Sequence, residues 1–215
     1  MKDIPIFTAA AGIATLVLRE VPDWGKAYIL PRGVFTNAAD LAAECAAFCR
    51  AAGAKQVYIR LTEPAEGCNF ACEVWELARS GADLPEPTRS LTLTPVRPDN
   101  TEAYRSLYNR RYRDVSLAAH CAAADPESIR GAWLYEEAGE VLGLGQIVDG
   151  ELRAIASDRP GLGYDLALAL LRTCPAEVYT LKAASDNAPA LRLYERLGFE
   201  KRAVLGKWYR VSDPL

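Results

Sequence analysis

The chain has 215 residues, 50% of them hydrophobic and 25% charged, ordinary proportions for a globular protein and enough for one large or two small domains that fold without staples. Its formal net charge is −3 and its sequence pI about 5.4, so the whole-molecule field disfavours polyanions and nucleic acid is not an expected partner. Residues 1–7 carry no basic segment followed by an apolar run, and no window approaches the roughly 18 uninterrupted apolar residues of a membrane span, so the expectation is a cytoplasmic protein with no membrane partner.

In chain order, residues 14–19 and 26–30 read as strands around a turn at Pro22-Asp23, and a helix is expected from Asp40 to Ala52. A β-rich run at 54–60 and a short helix holding Trp75-Glu76 complete this half. The six cysteines are Cys45, Cys49, Cys68, Cys72, Cys121 and Cys174, four of them in two C-x-x-x-C pairs that raise the question of a thiolate zinc site. Zinc ribbons favour C-x-x-C knuckles on turns, whereas Cys45 and Cys49 sit in an Ala-rich helical run beside Leu41 and Phe48, so buried reduced thiols and no metal are expected. His120 is the single histidine, which excludes multi-histidine metal sites.

Gly81, Pro85, Pro87, Pro95 and Pro98 interrupt regular structure between Ser80 and Pro98, placing a domain boundary near Pro87 and dividing the chain into 1–87 and 88–215. The second part reads as a strand at 90–96, a helix at 100–115 and an unpatterned segment from His120 to Arg130. Three strands follow at 132–136, 141–148 and 151–157, with turns at Ala138-Gly139 and Asp149-Gly150 that mark an antiparallel meander. Leu166, Ala167, Leu170, Leu171 and Cys174 then keep helical period, and 178–182 is a strand. A last helix starts where Asp186 or Asn187 can cap it and Pro189 is tolerated in the first turn. Ala190, Leu193, Tyr194 and Leu197 form its apolar stripe, Gly198 stands where a left-handed terminator is wanted, and Phe199 opens a strand.

The closing run Asn187, Ala190, Tyr194, Glu195, Gly198 and Phe199, in the spacing N-x-x-A-x-x-x-Y-E-x-x-G-F, resembles the end of the GCN5-related N-acetyltransferases, and the element order from Arg89 to Val211 is similar to theirs. The resemblance implies an α/β fold with a mixed sheet, acetyl-CoA as cosubstrate, and transfer of acetyl to a small-molecule or peptide amine by direct attack. It also implies a tandem arrangement, because the segment from Ala54 through Val57-Tyr58 echoes that from Pro175 through Val178-Tyr179. The N-terminal copy lacks a G-x-G and is expected to hold no cofactor; its expected role is to extend the sheet and wall the substrate cleft.

A glycine-rich turn lets the main chain approach phosphates, and a following helix offers unpaired N–H groups and a positive dipole end. Arg159, Gly161, Leu162 and Gly163 form the candidate turn for the pyrophosphate, although Asp158 stands where the family has Arg or Gln and the link from the strand is shorter. Arg159 is expected either to supply the cation for the pyrophosphate or to neutralise Asp158. By resemblance, Ile155, Ala156 and Ser157 lend backbone groups to the pantetheine arm, Asn187 contacts the arm or serves only as a cap, and Tyr194 protonates the leaving thiolate or lies in the core. Glu136, Glu137, Glu140 and Glu151 are all open as the base. Arg105, Arg110 and Arg113 lie mostly off the apolar face of their helix and read as a solvated face or as contacts for an acidic acceptor. A non-catalytic binding module and an acyltransferase with another donor are the competing readings.

Overall fold

The computed structural model describes residues 1–122 and 125–213, so residues 123 and 124 of the unpatterned segment lie outside the description. Its elements in chain order are β1 (Ile4–Ala9), β2 (Gly12–Val17), α1 (Val21–Trp24), β3 (Lys26–Val34), α2 (Ala38–Ala51), β4 (Gln56–Leu61) and β5 (Cys68–Ser80). There follow β6 (Leu93–Pro95), α3 (Thr101–Tyr112), a 3-10 turn (Pro126–Ile129), β7 (Ala132–Glu137), β8 (Glu140–Val148), β9 (Glu151–Ser157), α4 (Gly163–Thr173), β10 (Val178–Ala184), α5 (Ala188–Arg196) and β11 (Glu200–Val211). Among the described residues, no helix is long and apolar enough to cross a membrane.

The chain packs into two compact units, residues 1–74 with the segment from Val204 onward, and Trp75–Ala203. This differs from a division at Pro87. The proline-rich stretch is tied to the second unit by Gly81 N–H on the Glu177 carbonyl (2.7 Å), by Arg172 on the Pro85 carbonyl (2.9 Å) and by Thr88 on Asp165 (2.7 Å). A punctuated sequence therefore need not be a free linker.

In the first unit the strand order is β1-β2-β3-β4-β11. Strands β1, β2 and β3 are antiparallel neighbours, β3 and β4 run parallel with α2 as the crossover, and β11 lies antiparallel beside β4 through Lys207↔Leu61 and Tyr209↔Ile59. Asn37 caps α2 by accepting the Asp40 N–H at 2.8 Å, and its buried face, Leu41, Cys45 and Cys49, packs on Leu16, Ile29 and Ile59. Burial pushes the thiol of Cys45 up to about 11 and that of Cys49 to about 12, which keeps both protonated and unreactive at neutral pH. The turn expected at Pro22-Asp23 is the single-turn helix α1, stopped by Gly25 at φ 65°. The helix expected at Trp75-Glu76 is absent. Those residues lie in β5, where Phe70, Val74 and Trp75 favour an extended backbone and no capped stripe of 3.6-residue period competes. Cys68 and Cys72 are therefore on a strand. No disulfide joins any of the six cysteines, and the described residues contain no group of three or more His, Cys, Asp or Glu placed to hold a metal.

In the second unit the order is β5-β10-β9-β8-β7-β6. The meander β7-β8-β9 turns at Ala138-Gly139 and Asp149-Gly150, all four residues having positive φ, as type I′ hairpins require. Strands β9 and β10 then run parallel around α4. Each unit thus follows an antiparallel pair with a parallel β-α-β step, and the Val-Tyr echo falls on the second parallel strand of each, Val57-Tyr58 on β4 and Val178-Tyr179 on β10. Tyr104 and Leu107 of α3 pack with Leu134, Leu144 and Ala154, whereas Leu168 and Leu171 of α4 pack with Leu181, Tyr194 and Leu197. Gly143 and Gly145 admit α4 closely, since an added Cβ would stand 2.8 Å from Leu166 and 2.6 Å from Leu170.

Candidate functional site

The site is built where β9 and β10 part. Their ladder joins Thr180↔Glu151 and Leu181↔Leu152 at the start of β9, and further along that strand Ile155 turns its backbone polar pair elsewhere. Alternate residues of a strand aim their N–H and C=O to opposite edges. Asp158 donates to the Leu142 carbonyl at 3.0 Å, so the residues of even number face β8 and Ile155 faces the gap. There Ile155 N–H donates to Tyr112 Oη (2.8 Å), and the Tyr112 hydroxyl donates to the Ile155 carbonyl (3.1 Å). Tyr112 is the last residue of α3, and its ring stacks on Tyr108 with centroids 4.3 Å apart and an interplanar angle of 13°.

Tyr194 approaches the same gap from α5. Asn187, rather than Asp186, caps that helix by accepting the Ala190 N–H (3.3 Å), and Gly198 ends it at φ 80°. Both caps aim the stripe of α5 at β10. Tyr194 is 8% exposed, edge-on to Phe199 at 6.0 Å, and its phenol is pushed far above the usual range by burial and then by the neighbouring Tyr112. It holds its proton at any physiological pH, as a proton donor must before it acts.

At the mouth lies the turn Arg159-Pro160-Gly161-Leu162, closed by Leu162 N–H on the Arg159 carbonyl at 3.3 Å. Proline in the second position and Gly161 at φ 80° in the third match a type II turn. An added Cβ at Gly161 would meet nothing within 4 Å, so the backbone there is open, and α4 begins directly behind it at Gly163. Leu162 points away from the mouth and is buried with Leu166 and Tyr135. Ser157 donates to the Arg159 carbonyl at 2.9 Å, and Ala156 is registered with Leu144.

The charges at this mouth are arranged differently from the expectation. Arg159 pairs with Glu137, and Asp158 is engaged by Arg110, with Arg111 at 4.0 Å, both from α3. Two of the basic residues on α3 therefore neutralise the Asp158 carboxylate, which would otherwise repel a phosphate. Behind the mouth, Asp165 in the first turn of α4 is buried and accepts from Thr88 N–H (2.7 Å), Thr88 Oγ1 (2.6 Å) and Arg89 N–H (3.3 Å). Burial by itself would raise its pKa, but these hydrogen bonds and the Arg89 charge outweigh it and hold the carboxyl below its ordinary value.

Where β9 and β10 are still joined, a cavity of about 350 Å³ is lined by Glu76, Glu151, Arg153, Thr180 and Lys182 among others. Lys182 (2.8 Å) and Arg153 (3.1 Å) clamp Glu151; the Lys182 hydrogen bond foremost, against the opposing effect of burial, keeps its carboxyl low. Of the four candidate bases, Glu137 and Glu151 are thus committed to ion pairs, while Glu136 and Glu140 sit exposed at the β7-β8 turn. The structure gathers Ile155, Tyr194, the Gly161 turn and the start of α4 around one gap. It directs the Leu162 side chain and the Asn187 amide oxygen to structural partners. Tyr112 and Glu76 were not singled out from sequence. Tyr104, Tyr108 and Tyr112, four residues apart on one helical row, were the readable sign of the first.

No protein-family model and no curated protein matches this sequence. Solved structures do. A GCN5-related N-acetyltransferase from Sphaerobacter thermophilus is 14% identical over 95% of this chain and 78% of its own, with a TM-score of 0.59. One from Kribbella flavida is 20% identical over 98% and 89%, with a TM-score of 0.58. A tandem GNAT protein from the clavulanic acid biosynthesis pathway is 16% identical over 95% and 80%, with a TM-score of 0.53. The fold is that of the GCN5-related N-acetyltransferases.

Proposed function

We propose that this chain, having the GCN5-related N-acetyltransferase fold, transfers acetyl from acetyl-CoA to the amine of a small molecule or peptide, and that its N-terminal unit is a degenerate copy of the same fold. The observation that carries this reading is the gap between β9 and β10, with the unladdered Ile155 backbone pair on one wall and the buried Tyr194 on the other. The open turn at Gly161 and the N-terminus of α4 suit a pyrophosphate, and the Ile155–Ser157 backbone suits the amide-bearing arm.

In the reaction the amine nitrogen attacks the thioester carbonyl, the carbon–sulfur bond breaks, and the departing thiolate takes the Tyr194 proton. The attacking nitrogen gives its own proton to a base, which leaves an amide and free thiol. The base in this reading is Glu76, on the lining of the cavity where β9 and β10 are joined, which takes the proton through water. A melting series with CoA, acetyl-CoA and longer acyl-CoAs tests the donor, because a ligand at 100 times its dissociation constant adds about 2.7 kcal/mol. Thiol release on adding an amine panel tests transfer. A non-catalytic binding module is the second reading, favoured by Tyr112 already occupying Ile155; it predicts a melting shift with no thiol release for any amine.

A further inference from the structure

Tyr112 has a role that its place at the end of α3 does not by itself require. A side-chain hydroxyl commonly makes one hydrogen bond to a nearby backbone group; this one both accepts from and donates to the same residue, 43 positions away in sequence. It supplies Ile155 with what a neighbouring strand or an amide would supply, one acceptor and one donor. Ile155 is also the residue whose polar pair points into the gap after β10 has parted from β9. The ring stacks on Tyr108 and borders the cluster of Tyr104 and Leu107, and α3 ends at Tyr112, so rotation of the side chain breaks no helix.

We infer that Tyr112 is a built-in, removable occupant of the Ile155 backbone pair, so that an amide-bearing ligand arm enters only by displacing the Tyr112 hydroxyl. The inference rests on the acyl-CoA reading, since the ligand's arm supplies the amide. The exchange is balanced in hydrogen bonds when the carbonyl of one amide of the arm accepts from Ile155 N–H and the N–H of the next amide donates to the Ile155 carbonyl, in place of the phenol. Ligands without an amide at this position leave Tyr112 in place and meet a closed gap. Tyr112 therefore sets selectivity for the arm as well as closing the empty gap.

Tyr112→Phe keeps the ring and its stack and removes both bonds to Ile155. The expected result is a lower melting temperature without ligand and an acetyl-CoA affinity raised about tenfold, because two hydrogen bonds no longer have to be opened. Affinity for the adenosine bisphosphate portion of coenzyme A, which lacks the arm, stays unchanged. In the unaltered chain with ring-labelled tyrosine, the resonance missing from the Phe variant identifies Tyr112 and must move when acetyl-CoA is added. If acetyl-CoA binds the unaltered chain and the Phe variant binds no tighter, or the Tyr112 resonance stays still, Tyr112 is a fixed wall and the inference falls while the donor reading stands. If neither protein binds acetyl-CoA, the donor reading falls and takes this inference with it.

Discussion

Replacing Asp165 with alanine removes the carboxylate on which the chain between β5 and β6 is hung. The two short bonds from Thr88, 2.7 and 2.6 Å, are charge-assisted and worth about 1.5 kcal/mol each at the lower end of their range. The 3.3 Å bond from Arg89 N–H and the 3.5 Å ion pair to the half-exposed Arg89 side chain add little after solvent screening. The expected loss is therefore about 3 kcal/mol, which for a chain of this size lowers the melting temperature by about 6–12 °C. Asp165→Asn keeps one acceptor but turns an amide group toward donors, so about 2 kcal/mol is expected from it. The assay is urea unfolding of the three proteins at neutral pH, repeated down to about pH 3. Because the folded carboxyl titrates below its ordinary value, the unfolded chain binds more protons in acid. Its contribution is complete above the unfolded pKa of about 3.9 and fades as pH falls through the folded value, so the gap between wild type and Ala variant must narrow below about pH 4. A loss under about 1 kcal/mol for the Ala variant, or a gap that is constant with pH, would refute the assignment.

Tyr194→Phe keeps packing and acetyl-CoA affinity and should cut turnover by roughly 10²-fold, since only a transition-state interaction is lost; unchanged turnover returns Tyr194 to the core. Gly161→Ala forces a side chain to adopt φ 80° at a cost of about 1–2 kcal/mol and should weaken acetyl-CoA more than it lowers stability, by calorimetric titration; equal affinity removes the turn from the phosphate site. Elemental analysis of protein purified without chelator should find no stoichiometric zinc, because the cysteines are dispersed over α2, β5 and two distant loops.

The parts of this molecule that could be read from sequence are those whose causes are local. Asn187, Pro189, the Ala190–Leu197 stripe and Gly198 each satisfy a need within one helix, and α5 is found where they put it. The paired turn residues of β7-β8-β9 fixed the meander in the same way. At Trp75-Glu76 the strand preference of the neighbouring residues decides, and the expected helix does not form. Partner choices were beyond reach: Asp158 takes Arg110, 48 residues away, in place of the adjacent Arg159, and nothing in either segment names the other. The need for Gly143 and Gly145 becomes visible only once α4 lies against β8.

The pairing of β11 with β4 has a consequence for how the chain comes off the ribosome. Arg50 on α2 holds the carbonyl of Val211, 161 residues away, at 3.1 Å, and β4 finds its outer neighbour in residues 207–210. The β4 edge therefore stays open until residues 207–210, far downstream, have been made. An exposed parallel-sheet edge rich in Val, Tyr and Ile is a template for mispairing. A fragment cut at the proline-rich stretch inherits that edge permanently and should aggregate, whereas the same fragment supplied with the segment 204–213 as a separate peptide should recover a closed sheet.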